Sequence, residues 1–326
     1  MIITRTPLRI SFAGGGTDLP EFSEKYSGAV LSSAIDKYIY VTVKRHSEIF
    51  GEKYRLNYSE TEHVDHLDQI KNAIARECIR LLDVKFPLYI STVADLPAYS
   101  GLGSSSSFAV GLLNALHAMK DERASAGQLA EEAAKIEIEI LKRPIGRQDQ
   151  YAAAFGGLNF ISFNPGARVS IEPQHLANGK IDQLFKNIQM FWTGIIRDSS
   201  SVLTEQKNNI GGTIEYLKAM KEHASELRNM IQKDFSMEKF SKLLDESWQL
   251  KCKLASGITN DQIENWYKKG IEAGAMGGKL CGAGGGGFLL FIVEPDQQAR
   301  VRSVLSNLTE IQVHYESQGS HLKSID

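Results

Sequence analysis

The sequence predicts a two-domain α+β protein, with an N-terminal domain over residues 1–180 and a C-terminal domain over 181–326. Three observations carry that expectation. Strand and helix signals mix through the first half, and amphipathic helical stretches dominate the start of the second. Between them, the stretch NPGARVSIEPQHLANGK is broken by Pro165-Gly166, Pro173 and Gly179, which marks loops or a boundary between about Asn164 and Lys186. At 326 residues and 42% hydrophobic, the chain has enough apolar material to bury a substantial core.

Leu8 to Ala13 is a short apolar run, Val30 to Lys44 is rich in β-branched and aromatic residues, and Phe86 to Val93 alternates; these read as strands. Asp65 to Leu82 reads as a helix, and Phe108 to Leu116 as the start of another. Ser125 with Gln128 three residues on is a capping-box pattern, opening a helix that runs to about Leu141. Its residues Leu129, Ala133, Ile136 and Ile140 share one stripe, with Glu137 and Glu139 flanking it on opposite sides, so periodicity does not choose between the two glutamates. Gly157 to Phe163 reads as a strand. In the second half, Ile214, Leu217, Ala224, Leu227 and Ile231 mark one helix, Met237 to Leu254 another and Asp261 to Ala273 a third. Phe288 to Val293 as a buried strand, Gln297 to Leu308 as a helix and Ile311 to Tyr315 as a last strand complete a small α+β layer.

Composition narrows the function. With 37 Lys+Arg against 39 Asp+Glu, the formal net charge of −2 offers no basic field for nucleic acid. Cys78, Cys252 and Cys281 are far apart with no C-x-x-C spacing, so neither a disulfide framework nor a zinc site is indicated. The N-terminal MIITRTPLRISF lacks a secretory apolar core, and no stretch approaches membrane-spanning length. A cytoplasmic protein with no membrane partner is expected, its oligomeric state open and a homo-oligomer among the options.

Three glycine clusters carry the chemistry. Pro97 to Ser107, PAYSGLGSSSS, runs straight into the apolar Phe108 to Leu116 and has the composition of an anion-binding loop feeding a helix. Pro7 to Asp18 ends an apolar strand in three glycines, a hydroxyl and a carboxylate, and Lys279 to Phe288 reads KLCGAGGGGF. Gly282, Gly284 and Gly287 satisfy G-x-G-x-x-G, but in the order helix, glycines, strand, which is the reverse of a dinucleotide fingerprint. A Walker A loop is absent too, since Gly278-Lys279 is followed by Leu280 rather than a hydroxyl residue.

In order, these segments resemble the three motifs of the GHMP kinases, named for galactokinase, homoserine kinase, mevalonate kinase and phosphomevalonate kinase. The resemblance spans nearly the whole chain. It implies the GHMP kinase fold, an N-terminal domain like domain 2 of ribosomal protein S5 and a ferredoxin-like C-terminal domain, with the active site between them. It also implies ATP and Mg²⁺ as cofactors. Gly101, Leu102, Gly103, Ser104, Ser105 and Ser106 would wrap the ATP phosphates, joined by Pro97, Gly282, Ala283 and Gly284. Ser105 and Glu137 would hold the metal, with Glu139 the rival to Glu137. Asp149, in GRQDQYAAAFGG, matches the catalytic aspartate, and Arg9 an arginine near the transferred phosphoryl group. Asp18, with Gly15, Gly16 and Thr17, matches the sugar-binding turn. Gly15-Gly16 stands where galactokinase carries Glu-His, which opens space for a bulkier substrate.

Within the family, TPLRISFAGGGTD, GRQDQYAAAFGG and TGIIRDS most closely resemble the D-glycero-D-manno-heptose 7-phosphate kinases. These phosphorylate the anomeric hydroxyl to give the 1,7-bisphosphate, on the route to nucleotide-activated heptose for surface glycans. The implied partner is a sugar phosphate, and Arg147 and Arg197 are the cations expected to bind its phosphate. Kinases for fucose, galactose or mevalonate, and a sugar sensor of this fold without turnover, are the competing readings.

Overall fold

In the computed structural model, which describes residues 1–47, 49–177, 179–196 and 200–324, the first apolar run extends back into a 12-residue strand, β1 (Ile2–Ala13). Its early residues Thr4 and Thr6 are fully buried polar groups, which hid the strand from a hydrophobicity reading. Thr4 Oγ1 donates to the Gly111 carbonyl at 2.9 Å, and Thr6 Oγ1 lies 2.8 Å from Ser320 Oγ. Next come α1 (Pro20–Tyr26), the 18-residue β2 (Gly28–Arg45), the hairpin β3 (Tyr54–Asn57) and β4 (Thr61–Val64), α2 (Ala73–Leu81) and β5 (Leu88–Ala94). Helix α2 is shorter than the expected Asp65 to Leu82, because Asn72 caps it by accepting from Ala75 N at 3.0 Å. A helical block follows: α3 (Ser104–Met119), α4 (Ala126–Ala134), one wide π-helical turn over Lys135–Ile140, and α5 (Gln148–Phe155). Strands β6 (Leu158–Asn164) and β7 (Arg168–Pro173) close this half.

The first sheet has the order β12-β1-β2-β5-β3-β4, where β12 (His321–Ser324) is the last strand of the chain. β2 is long enough to take two neighbours on one edge, β5 along 39–45 and β6 along 28–33. Helix α3 packs against β1 and β2, and every residue from Ala109 to His117 is buried, as befits a helix that is apolar nearly all round.

The second half continues with α6 (Lys180–Lys186), β8 (Ile188–Trp192), α7 (Ser200–Asn208), α8 (Ile210–Gln232), α9 (Met237–Lys251) and α10 (Asp261–Glu272). Strands β9 (Gly277–Leu280) and β10 (Phe288–Ile292), helix α11 (Gln298–Val304) and β11 (Thr309–Ile311) precede β12. The second sheet, β11-β8-β10-β9, is antiparallel throughout. One face, with Met190, Phe288, Leu290 and Ile292, joins the core beneath the first sheet. The other, with Phe191, Leu289 and Phe291, packs on Ile263, Trp266 and Val301. Burial on both faces explains why β10 reads as an unbroken apolar run. The expected strand Ile311 to Tyr315 divides: β11 stays in the second sheet, and Tyr315 bridges back to Ile35 in the first. Among the described residues no helix is long and apolar enough to cross a membrane.

Candidate active site

The three glycine clusters meet along one cleft of about 1020 Å³. The Gly14–Asp18 turn leaves β1, the Pro97–Gly103 loop leads into α3, and Gly282–Gly287 connects β9 to β10. Two of the clusters touch through backbone. Gly101 and Gly282 both have positive φ, +80° and +77°, and a Cβ on Gly282 would stand 2.5 Å from the Gly101 Cα. Any side chain there would force the two segments apart.

The loop aims α3 at the cleft. The first intrahelical bond runs from Ser107 N to Gly103 O at 3.0 Å, so by helix geometry the N–H groups of Ser104, Ser105 and Ser106 have no partner within the helix. They form a preset anion site, strengthened by the helix dipole. Pro97, Gly101, Gly103, Ala283 and Gly284 line the same cleft. Leu102 does not: its side chain is fully buried, and it contributes its carbonyl, which accepts from Arg9 N at 3.1 Å.

Glu137 is fully buried behind these serines. Its Oε1 accepts from the Ser105 hydroxyl and, at 3.0 Å, from Arg143 Nη1; its Oε2 accepts from Ser106 Oγ at 2.7 Å and Gln150 Nε2 at 2.8 Å. Glu139 is half exposed and pairs with Arg147 at 3.1 Å. Of the two glutamates, only Glu137 touches the loop serines. The π turn is the cause: Leu141 N donates to Ile136 O at 2.9 Å, one residue further back than in an α-helix, which turns Glu137 inward and leaves Ile140 41% exposed. The Ser105 hydroxyl and Glu137 carboxylate are two hard oxygen donors in contact, a set that suits Mg²⁺ completed by phosphate oxygens.

Across the cleft, Arg9 Nε and Nη2 bind Asp149 Oδ1 and Oδ2 at 2.7 and 2.6 Å, and Arg9 Nη1 binds the Gly101 carbonyl at 2.7 Å. This fork-to-fork pairing fixes the carboxylate at the start of α5. Asp18 is buried beside it and accepts from Gly16 N, Gln148 N and Gln148 Nε2 at 3.1, 3.2 and 3.2 Å. Burial, and then the neighbouring Asp149 charge, hold its pKa above the usual carboxylate value. Gly146 makes room for it, since a Cβ there would fall 2.0 Å from Asp18 Oδ2.

Gly15 and Gly16 line the cleft, but Thr17 does not: it is fully buried, its hydroxyl tying Gly14 O and Ala29 O at 2.8 and 3.0 Å. Arg147, expected to bind the sugar's phosphate, is turned away from the cleft. Its guanidinium is held by Glu131 at 2.9 Å and Glu139 at 3.1 Å, and it forms no part of the cleft wall. Arg197 lies outside the described residues. The sequence reading missed Arg143, Gln148, Gln206, Lys251 and Lys279, all of which line the cleft. Lys251 had left a signal, because it follows Phe240, Leu244 and Trp248 along the apolar stripe of α9, where an ammonium is out of place.

A serine-lined helix start beside a fixed arginine–aspartate pair is the equipment of a phosphoryl-transfer enzyme. Family models for the GHMP kinases N terminal domain and the GHMP kinases C terminal match residues 69–157 and 219–310. D-glycero-alpha-D-manno-heptose 7-phosphate kinase of Campylobacter jejuni subsp. jejuni serotype O:2 is 33% identical over 91% of this chain and 91% of that protein. The L-fucokinase/L-fucose-1-P guanylyltransferase of Bacteroides fragilis is 26% identical over 93% of this chain but 36% of that longer protein. The crystal structure of a D-glycero-D-manno-heptose 1-phosphate kinase from Bacteroides thetaiotaomicron superposes with a TM-score of 0.83 at 25% identity, covering all of both chains. The chain belongs to the GHMP kinase family, with that family's fold, and is an ATP-dependent kinase.

Proposed function

We propose that this kinase transfers the terminal phosphoryl group of ATP to the anomeric hydroxyl of D-glycero-D-manno-heptose 7-phosphate, giving the 1,7-bisphosphate for nucleotide-activated heptose and surface glycans. The observation that carries it is the Arg9–Asp149 pair, set between the serine-lined loop and the Gly15–Asp18 turn. The heptose relative, alike over nine-tenths of both chains, supports the choice of sugar.

In this reading the sugar lies against Gly15, Gly16 and Asp18, whose carboxylate accepts ring hydroxyls. Asp149 receives the hydrogen bond of the attacking hydroxyl and takes its proton as the new bond forms. Arg9 holds that carboxylate in one orientation and places a fixed cation where phosphoryl charge develops. The N–H groups of Ser104 to Ser106 hold nucleotide phosphates, and Ser105 with Glu137 would hold Mg²⁺, which supplies charge neutralisation of the phosphates when bound.

The test is an ATP-consumption panel over heptose 7-phosphate, heptose 1-phosphate, fucose, galactose and mevalonate, with the product position read by phosphorus NMR. Heptose 7-phosphate should show the largest kcat/KM and a new anomeric phosphate. Silence with heptose 7-phosphate while another alcohol is turned over would reject this substrate.

A further inference from the structure

The cleft holds two ammonium groups that the chemistry above does not use. Lys251, at the end of α9, and Lys279, on β9, are 7% and 6% exposed. Among the described residues neither forms an ion pair. Lys251 Nζ donates to the Gly282 carbonyl and Lys279 Nζ to the Ser11 carbonyl, the latter at 2.5 Å. Burying unneutralised ammonium groups is costly, and two together with Arg9 nearby are more so. Burial is the first cause that lowers the pKa of Lys251 to about 8 and of Lys279 to about 7.

Two further donors converge on the same place. Gln206 is 1% exposed, and among the described residues its Nε2 has no partner. The buried Ser11 Oγ has none either. A Cβ on Gly15 would lie 3.7 Å from Ser11 Oγ and 3.9 Å from Lys251 Nζ, and one on Gly16 would lie 2.2 Å from Gln206 Nε2. All four residues line the cleft. Two ammonium groups with no counter-charge and two polar groups with no partner among the described residues call for a ligand rich in acceptor oxygens and negative charge, and a phosphate monoester is such a ligand.

We propose that Lys251, Lys279, Gln206 and Ser11 form a second anion pocket beside the Gly15–Gly16 turn that binds the phosphate already carried by the sugar. The assignment rests on reading the substrate as a sugar phosphate. It replaces Arg147, which is committed to Glu131 and Glu139. The nucleotide's own phosphates are the other source of the same chemistry. The place favours the sugar, because the pocket adjoins the turn that carries Asp18, whereas the serine-lined loop already offers the nucleotide a cradle.

The probe is inorganic phosphate, titrated calorimetrically into protein saturated with a non-hydrolysable ATP analogue. One phosphate per chain is expected, with affinity falling by about tenfold or more in Lys251→Met and Lys279→Met, as for loss of a charged hydrogen bond. Gln206→Leu, on a different helix, should weaken it severalfold and guards against misfolding of the lysine variants. Lys251→Arg should largely restore binding. In turnover, the lysine variants should raise KM for the sugar phosphate about tenfold and leave KM for ATP within about twofold. No phosphate binding in the parent protein, equal binding in all variants, or a rise in the ATP KM instead would overturn the pocket. Phosphate bound through these residues in a protein that turns over no phosphorylated sugar would keep the pocket and sink the heptose reading. Turnover of heptose 7-phosphate indifferent to both lysines would do the reverse.

Discussion

Arg9 and Asp149 are 140 positions apart in the chain yet meet through two hydrogen bonds below 2.8 Å, which makes the aspartate's direction a property of β1 as much as of α5. Asp149→Asn keeps the shape and removes the proton acceptor. Turnover should fall by about 10²- to 10⁴-fold while ATP affinity, measured by direct titration, stays within about twofold. Unchanged turnover would remove Asp149 from the chemistry. Both residues were legible as motif members, whereas Lys279 was read only as the head of the third motif and a failed Walker lysine, because nothing in a linear reading says that its strand is buried on both faces. The lysines make a second prediction, about pH. Lys251 is set near 8 by burial and Arg9, opposed by Cys281, Cys252 and Asp18; Lys279 is set near 7 by burial, Lys251 and Arg9, opposed by Cys281. Both lose charge between pH 6 and 9, and a bound phosphate favours the charged forms. KM for the sugar phosphate should therefore rise with pH above 7, by at most about tenfold per unit for each proton taken up on binding. The phosphate itself, with a second pKa of about 6, is already dianionic there. The ATP KM measured across the same buffers should lack this rise, and a parallel rise in both would remove the lysines as its cause.

At the scale of an element, the π turn after α4 explains why the sequence left two glutamates in play. An ideal 3.6-residue period puts Ile136 and Ile140 on one stripe, but the extra residue in the turn breaks that stripe after Ile136 and carries Glu137 into the protein. Hydrophobic spacing encodes which face is apolar; it does not encode where a helix will widen. The N-cap signal fared differently, because it is local: Ser125 does accept from Gln128 N, at 3.2 Å, and the helix begins there, while the Gln128 side chain donates forward to Glu132 at 2.9 Å and does not complete the box. The consequence is a contrast between neighbours. Glu137→Gln keeps the buried volume and removes charge beside Ser105, so activity should fall at least about tenfold and the Mg²⁺ concentration needed for half-maximal rate should rise. Glu139→Gln loses one exposed partner of Arg147, a change in the range of surface ion pairs, and should leave both within about twofold. Equal effects of the two substitutions, read by magnesium titration of the rate, would remove Glu137 from the metal site.

The whole molecule is tied together more tightly than two motifs on either side of a linker suggest. Phe240 on α9 packs edge-on against Phe12 of β1, ring centres 5.0 Å apart, and Ala224 and Leu227 of α8 enter the same core as Ile10, Leu31 and Met190. After β11 the chain crosses back to the first sheet. There Asp36 accepts from His314 N at 2.8 Å, Tyr38 Oη donates to Glu316 at 2.5 Å, and Ser320 meets Thr6. Little of this return was legible, since residues 314–324 carry few apolar side chains and owe their place to hydrogen bonds with β1 and β2, 278 to 314 positions earlier. With one apolar core shared between the sheets, the two halves should not unfold separately. Calorimetry should give a single transition whose van't Hoff and calorimetric enthalpies agree. Phe240→Ala, at the junction, removes a fully buried ring and should cost about 3–5 kcal/mol, lowering that one transition as a unit. Two resolved transitions, with only the later one moved by the substitution, would instead mean that the sheets are stable apart. The cleft between Gly101 and Gly282 would then be held by its ligands and not by the core.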